Sequence, residues 1–381
     1  MANVTFLMLP EFGHILPTLP LASSLMRSNH HVCYLTVPDF GSLFRQLGIE
    51  CRFVATEASD VEQPDAWSVR RSGRVIIEDL SKQLSSIGGS PKERIVRHLI
   101  EAGTDLVACD VKLIDHWGEF FARQLRPPIV AINVTLTDPV TSQFPEIVLC
   151  PVEFELPAAR RCLSNRYFCE PSVWRHRAIS DDEWVVKDHR RLVYCSLGTQ
   201  AFNYTGASRV LRDVIDAFEG LPAYRLIMAA TSLYETIATG ALPSNITVVR
   251  SAPQLKILRH ADIVITNGGL GTLKEAILER VPALVIPFLY DQPANGQRVE
   301  YHGIGRTCRP TDCSPDKIRR VVMEISDDSA LRARLAELSE RFWAREREPI
   351  AGRLLERVLS GLPLEVSEAA NASASTPGDN V

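Results

Sequence analysis

Two side chains that could form a proton-transfer pair follow apolar segments in the first third of the chain. His14 comes after the apolar run 4–9, and Asp110 directly follows the run 106–109. If both runs are parallel strands, their carboxyl ends meet at one sheet edge and bring the two side chains close. A histidine can take a proton from a hydroxyl near neutral pH, and a carboxylate can orient its ring. The pattern predicts a general base and its partner. Asp115 competes for the partner's role, and Asp110 could instead only cap the following helix.

A glycine-rich turn in the second half of the chain indicates phosphate binding. Residues 263–266 form an apolar run, Asn267 to Gly271 follow it, and a helical pattern begins at Thr272. Glycine lets the backbone approach a ligand closely, and the start of a helix offers unpaired N–H groups to a phosphate. The turn lacks both G-x-G-x-x-G and the P-loop G-K-[ST]. A nicotinamide dehydrogenase and a kinase are therefore both disfavoured.

Apolar strand patterns alternate with helical patterns on both sides of a charged, aromatic segment, which predicts parallel sheets covered by helices. We therefore predict an α/β protein of two doubly wound, Rossmann-like domains whose strand ends face a central cleft. The predicted parts are an N-terminal domain (1–171), a linker (172–191), a C-terminal domain (192–340), a C-terminal helix packing back on the first domain (341–363) and a disordered tail (364–381).

Composition narrows the class of partner. The chain has 381 residues, of which 45% are hydrophobic and 23% charged, and its 42 Lys+Arg against 46 Asp+Glu give a net charge of −4. Nothing in this balance resembles the basic surface that nucleic acid requires. The nine cysteines show no C-x-x-C pair, which favours reduced core thiols. The chain shows no signal-like start and no apolar run near the length of a membrane span, so we predict a cytoplasmic protein without stable membrane insertion. We expect it to be a monomer or a homodimer.

One block of the second half contains, in order, Pro253, Gln254, His260, Gly269, Thr272, Glu275, Pro282, Pro287, Asp291, Gln292 and Asn295. This block resembles the nucleotide-sugar signature of family 1 glycosyltransferases, which are metal-independent enzymes of the two-domain GT-B fold. The resemblance extends to G-H-x-x-P-x-L-x-L-A-x-x-L at 13–25 and to Y-x-S-x-G-T at 194–199. It therefore covers most of the chain, and it implies that the N-terminal domain (1–171) is acceptor-binding and the C-terminal domain (192–340) is nucleotide-sugar-binding.

The resemblance implies roles for the residues at these and neighbouring positions. His14 would be the general base, Asp110 its partner, and Phe12 an acceptor contact. Asp291 and Gln292 would bind hydroxyls of the donor sugar. The nucleotide and its phosphates would be held by Thr199, Ser251, Ala252, Gln254, Asn267, Gly268, Gly269, Gly271, Thr272 and Glu275. Within this set, Gln254 and Glu275 would contact the ribose.

Two positions depart from the family pattern. The family usually has a histidine where this chain has Asn267, and an aromatic residue that stacks on the base where this chain has Ser251. A neutral amide can still donate to phosphate, whereas serine cannot stack, so the guanidinium of Arg250 would have to cover the base instead.

These residues predict an inverting glycosyltransferase that uses no metal and no cofactor. It would move a hexose, with glucose favoured, from a UDP- or dTDP-sugar to a hydroxyl of an apolar acceptor such as a polyketide or phenolic compound. The acceptor site would be walled by Phe12 and residues 56–90 and 135–146. A nucleotide-sugar epimerase of similar fold and a silent nucleotide-binding relative are the alternatives.

Overall fold

The computed structural model describes residues 1–36, 40–53, 91–137, 143–160, 165–175 and 189–364. The chain divides into two compact units, one comprising Met1–Trp174 and Arg345–Val381 and the other Arg175–Ala344. Each unit contains one parallel sheet, with helices between most of its successive strands. The predicted α/β class with two doubly wound sheets is confirmed.

The sheet of the first unit has the strand order β3-β2-β1-β4-β5-β6-β7, and its described pairs are parallel. Its strands are β1 (Asn3–Leu7), β2 (His31–Thr36), β3 (Glu50–Phe53), β4 (Leu106–Asp110), β5 (Ile129–Asn133), β6 (Glu146–Val148) and β7 (Arg166–Phe168). The longer strands β1, β2, β4 and β5 are nearly continuous apolar runs because helices cover both faces of such a sheet.

The helices of this unit are α1 (Phe12–Ile15), α2 (Leu19–Arg27), α3 (Gly41–Gln46), α4 (Pro91–Glu101), α5 (Val111–Gln124) and α6 (Pro157–Arg160).

The sheet of the second unit has the order β10-β9-β8-β11-β12-β13, again with parallel pairs. Its strands are β8 (Arg191–Ser196), β9 (Tyr224–Ala229), β10 (Ile246–Val249), β11 (Ile263–Thr266), β12 (Ala283–Val285) and β13 (Gly305–Thr307). Its helices are α7 (Ala207–Glu219), α8 (Tyr234–Ile237), α9 (Gln254–Leu258), α10 (Leu270–Leu278), α11 (Gln292–Tyr301), α12 (Pro315–Asp327) and α13 (Ser329–Glu346).

The last described helix, α14 (Ile350–Leu359), belongs to the first unit. There His30 Nε2 donates to the Glu356 carboxylate at 2.9 Å, which joins this helix to the end of α2. The sequence pattern suggested one continuous amphipathic stretch over 329–359. The structure instead breaks it at Pro349, which caps α14, because a proline lacks the N–H that helix continuation needs.

Other boundaries differ for local reasons. The helix predicted over 16–27 begins as a 3-10 turn, Leu16–Thr18, and the α-helix proper starts only at Leu19 with Pro20 in its first turn. The loop predicted over 135–146 ends in a strand. Glu146 opens β6 with its side chain buried against Arg166, so it does not line an open acceptor wall as predicted.

Several predictions concern residues outside the described ranges. They include the acceptor wall at 56–90, part of the 135–146 loop, most of the 172–191 linker, Cys162, and most of the tail at 364–381. The eight described cysteines are all free thiols. No helix in the described part of the chain is long and apolar enough to cross a membrane.

Candidate active site

His14 and Asp110 meet because the strands that precede them are neighbours. β1 and β4 pair in parallel with Leu7 opposite Cys109, so both strands end at the same edge of the sheet. A short turn and α1 then carry His14 back over the end of β4. The result is a hydrogen bond of 2.6 Å between His14 Nδ1 and Asp110 Oδ2, across 96 residues of sequence.

Asp110 is held tightly by backbone groups. Its side chain is completely buried, Oδ1 accepts from the Lys112 N–H at 2.9 Å, and Oδ2 accepts weakly from the Leu9 N–H at 3.4 Å. The same carboxylate therefore caps α5 and receives the imidazole. Because a carboxylate only accepts, Nδ1 of neutral His14 carries the proton and Nε2 holds the lone pair of a base.

The other predicted residues of this edge take different positions. Asp115 is exposed on α5, so the structure brings Asp110 to His14 and leaves the competing carboxylate on the surface. Phe12 lies two residues before His14 and is half-buried, with its ring 5.1 Å from that of Phe40. This ring therefore supplies an apolar surface two residues before His14 in the sequence.

The glycine turn of the second unit lies between β11 and α10. Gly268 has φ +86°, and a Cβ placed there would lie 2.7 Å from Val285 Cγ1, so only glycine fits without strain. Gly269 caps α10, and its N–H donates to Asn267 Oδ1 at 3.2 Å. The first helical turn, which includes Gly271 and Thr272, presents the N–H groups that an α-helix leaves unpaired at its start.

Three predicted nucleotide contacts come together on one side of α10. Gln254 Nε2 donates to Glu275 Oε2 at 2.6 Å and approaches Thr272 Oγ1 at 3.3 Å. Gln254 begins α9, whereas the other two side chains lie one helical turn apart on α10. A carboxylate, an amide and a hydroxyl grouped in this way can both accept from and donate to a ribose diol.

Asp291 and Gln292 are adjacent in sequence but differ in burial and in the hydrogen bonds that their side chains make. Asp291 is half-buried and accepts from Asn295 Nδ2 at 2.8 Å. Gln292 is 3% exposed, and its Oε1 accepts from the N–H groups of Phe288 at 2.9 Å and Leu289 at 3.1 Å. The oxygen of this amide is therefore already used within the protein, and a contact of Gln292 with a sugar hydroxyl, which stays a prediction, would have to be made by an Nε2 N–H.

Tyr204 joins two of the predicted residues and was missed by sequence reasoning. Its hydroxyl accepts from Gln292 Nε2 at 2.8 Å and from Asn267 Nδ2 at 3.3 Å. Asn267 thus faces a tyrosine hydroxyl. Asn295 adds a further contact that the motif match did not explain, since its Nδ2 donates to the Gly268 carbonyl at 3.0 Å.

The remaining residues predicted to contact the nucleotide are only partly buried. Thr199, Ser251 and Ala252 are half-buried in loops that follow β8 and β10. Arg250 forms an ion pair with Glu235, and its guanidinium lies 5.0 Å from the centre of the Tyr234 ring. The suggested stacking of Arg250 on a base therefore stays a prediction, and that guanidinium already has an aromatic neighbour.

No group of three or more His, Cys, Asp or Glu side chains within the described ranges is arranged to hold a metal ion.

Known proteins resemble the chain in sequence and in fold. Residues 226–356 match the family described as "Erythromycin biosynthesis protein CIII-like, C-terminal domain". The chain is 24% identical to the NDP-glycosyltransferase YjiC of Bacillus subtilis, covering 89% of this chain and 92% of that protein. It is 22% identical to the oleandomycin glycosyltransferase of Streptomyces antibioticus, covering 88% and 86%. The solved structure of the glycosyltransferase SnogD from Streptomyces nogalater aligns with TM-score 0.71 and 21% identity over 94% of this chain and 99% of that one.

Fold, site and relatives define an enzyme of the GT-B glycosyltransferase class. Within that class, the family match over residues 226–356 and the relatives support a family 1 glycosyltransferase of the natural-product type.

Proposed function

We propose that this enzyme transfers a hexose from a UDP- or dTDP-sugar to a hydroxyl of an apolar small molecule, with inversion at the anomeric carbon and without a metal ion. The observation that carries the proposal is the 2.6 Å bond between His14 and the buried Asp110 at the ends of β1 and β4. That pair is built to take a proton from a hydroxyl near neutral pH.

In the proposed reaction, His14 Nε2 takes the proton of the acceptor hydroxyl while the oxygen attacks the anomeric carbon. The bond between the sugar and the diphosphate breaks on the opposite face, and its electron pair leaves with the phosphate. A single displacement of this kind inverts the anomeric centre. Asp110 stabilises the imidazolium that forms by accepting from Nδ1–H.

The second unit supplies the donor side of the proposal. The N–H groups and dipole at the start of α10 offset the negative charge that develops on the leaving diphosphate, which is the task a metal ion performs in other enzymes. Gln254 and Glu275 bind the ribose, and the half-buried Asp291 accepts hydrogen bonds from hydroxyls of the sugar. A carboxylate at this place favours a sugar with adjacent free hydroxyls, such as glucose, because an unpaired polar group costs free energy.

The acceptor class rests on local chemistry and on relatives. Phe12 offers an apolar surface near His14 in sequence. Among the relatives, the spinosyn rhamnosyltransferase SpnG has been solved with thymidine diphosphate and with spinosyn aglycone. These ligands support a nucleotide sugar and an apolar hydroxylated acceptor for this chain as well.

A donor and acceptor screen tests the proposal. The purified chain is incubated with UDP-glucose, dTDP-glucose and a dTDP-deoxyhexose, each with phenolic and polyketide acceptors, and products are detected by mass. We expect a glycoside that forms only when acceptor is present, at a rate unchanged by a metal chelator, with inverted anomeric configuration by NMR. An altered nucleotide sugar formed without acceptor would instead indicate an epimerase. Nucleotide binding without turnover of any pair would indicate a silent relative.

A further inference from the structure

Tyr204 occupies a central place among the loops at the carboxyl ends of the second sheet. It follows the 3-10 turn Ala201–Asn203 after β8, and its ring stacks on Phe288 with centroids 5.0 Å apart. Only 6% of the residue is exposed. Its hydroxyl reaches Asn267, which follows β11, and Gln292, which begins α11. One phenol oxygen therefore joins the loops after β8, β11 and β12.

The direction of these hydrogen bonds follows from the other ends of the two amides. Gln292 Oε1 already accepts from two backbone N–H groups, so the atom that faces Tyr204 is Nε2. Asn267 Oδ1 accepts from the Gly269 N–H, so Nδ2 faces Tyr204. Both amides donate, and the phenol oxygen accepts twice.

The proton of the phenol must then point to a different acceptor. Both hydrogen bonds that the structure gives this hydroxyl, within the described residues, come from amide N–H groups. Burial raises the pKa of Tyr204 to about 12, so the hydroxyl keeps its proton at any working pH. Accepting two hydrogen bonds also polarises an O–H and strengthens it as a donor. A buried, polarised donor without an acceptor among the described residues can donate to a water or to a ligand oxygen.

We propose that the Tyr204 hydroxyl donates to the second phosphate of the nucleoside diphosphate, the one bonded to the sugar. This inference rests on the proposed function and deepens it. Its two amide partners define the place: Asn267 leads into the glycine turn expected to hold the diphosphate, and Gln292 lies beside Asp291, expected to bind the sugar. The phosphate adjoining the sugar lies between those two groups. Tyr204 would thus supply, from another loop, a phosphate donor in a chain that has Asn267 where its family usually has histidine.

The test compares Tyr204→Phe with a matched control, Tyr224→Phe. Both tyrosines are 6% exposed and both lie in the second unit, but the Tyr224 hydroxyl donates to Ser326 Oγ at 2.9 Å. Binding of a nucleoside diphosphate and of the matching monophosphate is measured by calorimetry for the wild type and both variants. We expect Tyr204→Phe to bind the diphosphate about tenfold more weakly, because a hydrogen bond to a charged phosphate is lost. Its affinity for the monophosphate, and both affinities of Tyr224→Phe, should stay at the wild-type value.

The outcomes separate the inference from its alternatives. An equal loss for both nucleotides shows that Tyr204 only supports the loops, and unchanged diphosphate binding shows that its hydroxyl touches no phosphate; either result overturns the inference. A wild-type protein that binds neither nucleotide overturns the proposed function and this inference with it. If Tyr204→Phe does not fold, Tyr204→Met fills the space beside Phe288 with a flexible apolar side chain and must show the same selective loss.

Discussion

Replacing Asp110 by asparagine tests the proposed base without removing any heavy atom from the buried site. In the wild type, Oδ1 accepts from the Lys112 N–H at 2.9 Å, and Oδ2 accepts from His14 Nδ1 at 2.6 Å. An asparagine has only one accepting oxygen. If that oxygen stays on the Lys112 N–H, its NH₂ group faces His14 and forces the imidazole into the tautomer that carries the proton on Nε2. That tautomer cannot take a proton from an acceptor.

The expected magnitude follows from the alternative orientation of the amide. Turning its oxygen towards His14 and the more distant Leu9 N–H restores the active tautomer, but it places the NH₂ group against the partly buried Lys112 N–H and so removes the cap of α5, at a cost of about 0.5–2 kcal/mol. Since about 1.4 kcal/mol corresponds to a factor of ten, the active form becomes about twofold to thirtyfold rarer. We expect kcat of Asp110→Asn to fall by about that factor. His14→Ala, which removes the base itself, should lower kcat by about 10²–10⁴.

The assay measures initial rates at saturating donor and acceptor, together with donor affinity and thermal unfolding of each variant. Asp115→Asn is the control, because that carboxylate is exposed on the same helix that Asp110 caps. Donor affinity should not change in any of the three variants, since these residues lie in the first unit. A folded Asp110→Asn with wild-type kcat, or a loss that appears in Asp115→Asn instead, would refute the assignment.

Three further predictions concern other parts of the molecule. Gly268→Ala should lower the free energy of unfolding by about 1–3 kcal/mol, because the residue has φ +86° and an added Cβ would lie 2.7 Å from Val285 Cγ1. Gly271→Ala is the control, because a Cβ added at Gly271 would have no neighbouring atom within 4 Å. Equal urea denaturation midpoints for the two variants would contradict this prediction. Ser251→Trp should tighten binding of uridine and thymidine diphosphates by at most about 1–3 kcal/mol through one stacked base, and calorimetry showing no gain in a folded variant would rule out stacking at this position. Burial raises the pKa of the Glu170 carboxyl from 4.5 to about 7, so the folded state holds its proton longer, and the free energy of unfolding should decline as the pH rises from about 4.5 to about 7. In Glu170→Gln that decline, up to about 3 kcal/mol, should be absent from melts across this range, and an unchanged pH dependence would show that the carboxyl is not the cause.

The general-base pair could be predicted because it depends only on which strands are neighbours. A parallel sheet places the residues after β1 and β4 at the same edge, and apolar runs marked both strands in the sequence. The remaining ambiguity between Asp110 and Asp115 concerned the point where α5 begins. The sequence pattern placed that helix at Asp115, whereas α5 starts at Val111 because the Asp110 side chain caps it. An N-cap side chain can start a helix several residues before the apolar periodicity of that helix can be recognised in the sequence.

The two short strands β6 and β7 could not be predicted in the same way. Each has three residues, fewer than any periodic pattern needs, and each is fixed by long-range pairing. The buried Glu146 and Arg166 illustrate the difficulty, since both read as surface residues in the sequence. Their ion pair, with an N–O distance of 3.1 Å, exists only when the two strands lie side by side.

Tyr204 shows why the donor side was only partly predictable. It lies in an irregular loop, 63 residues from Asn267 and 88 residues from Gln292, so no local pattern connects the three. Asn267, Tyr204 and Gln292 all carry neutral polar groups, and each has its orientation fixed by another hydrogen bond or by packing on Phe288. Donors that are already oriented need no reorganisation when negative charge develops on a leaving phosphate, and this is the condition under which neutral dipoles stabilise such charge effectively. Under the proposed function, a fixed network of neutral donors then serves the phosphate without the imidazole usual in the family, and the buried stacking of Tyr204 on Phe288 is what keeps that network in place.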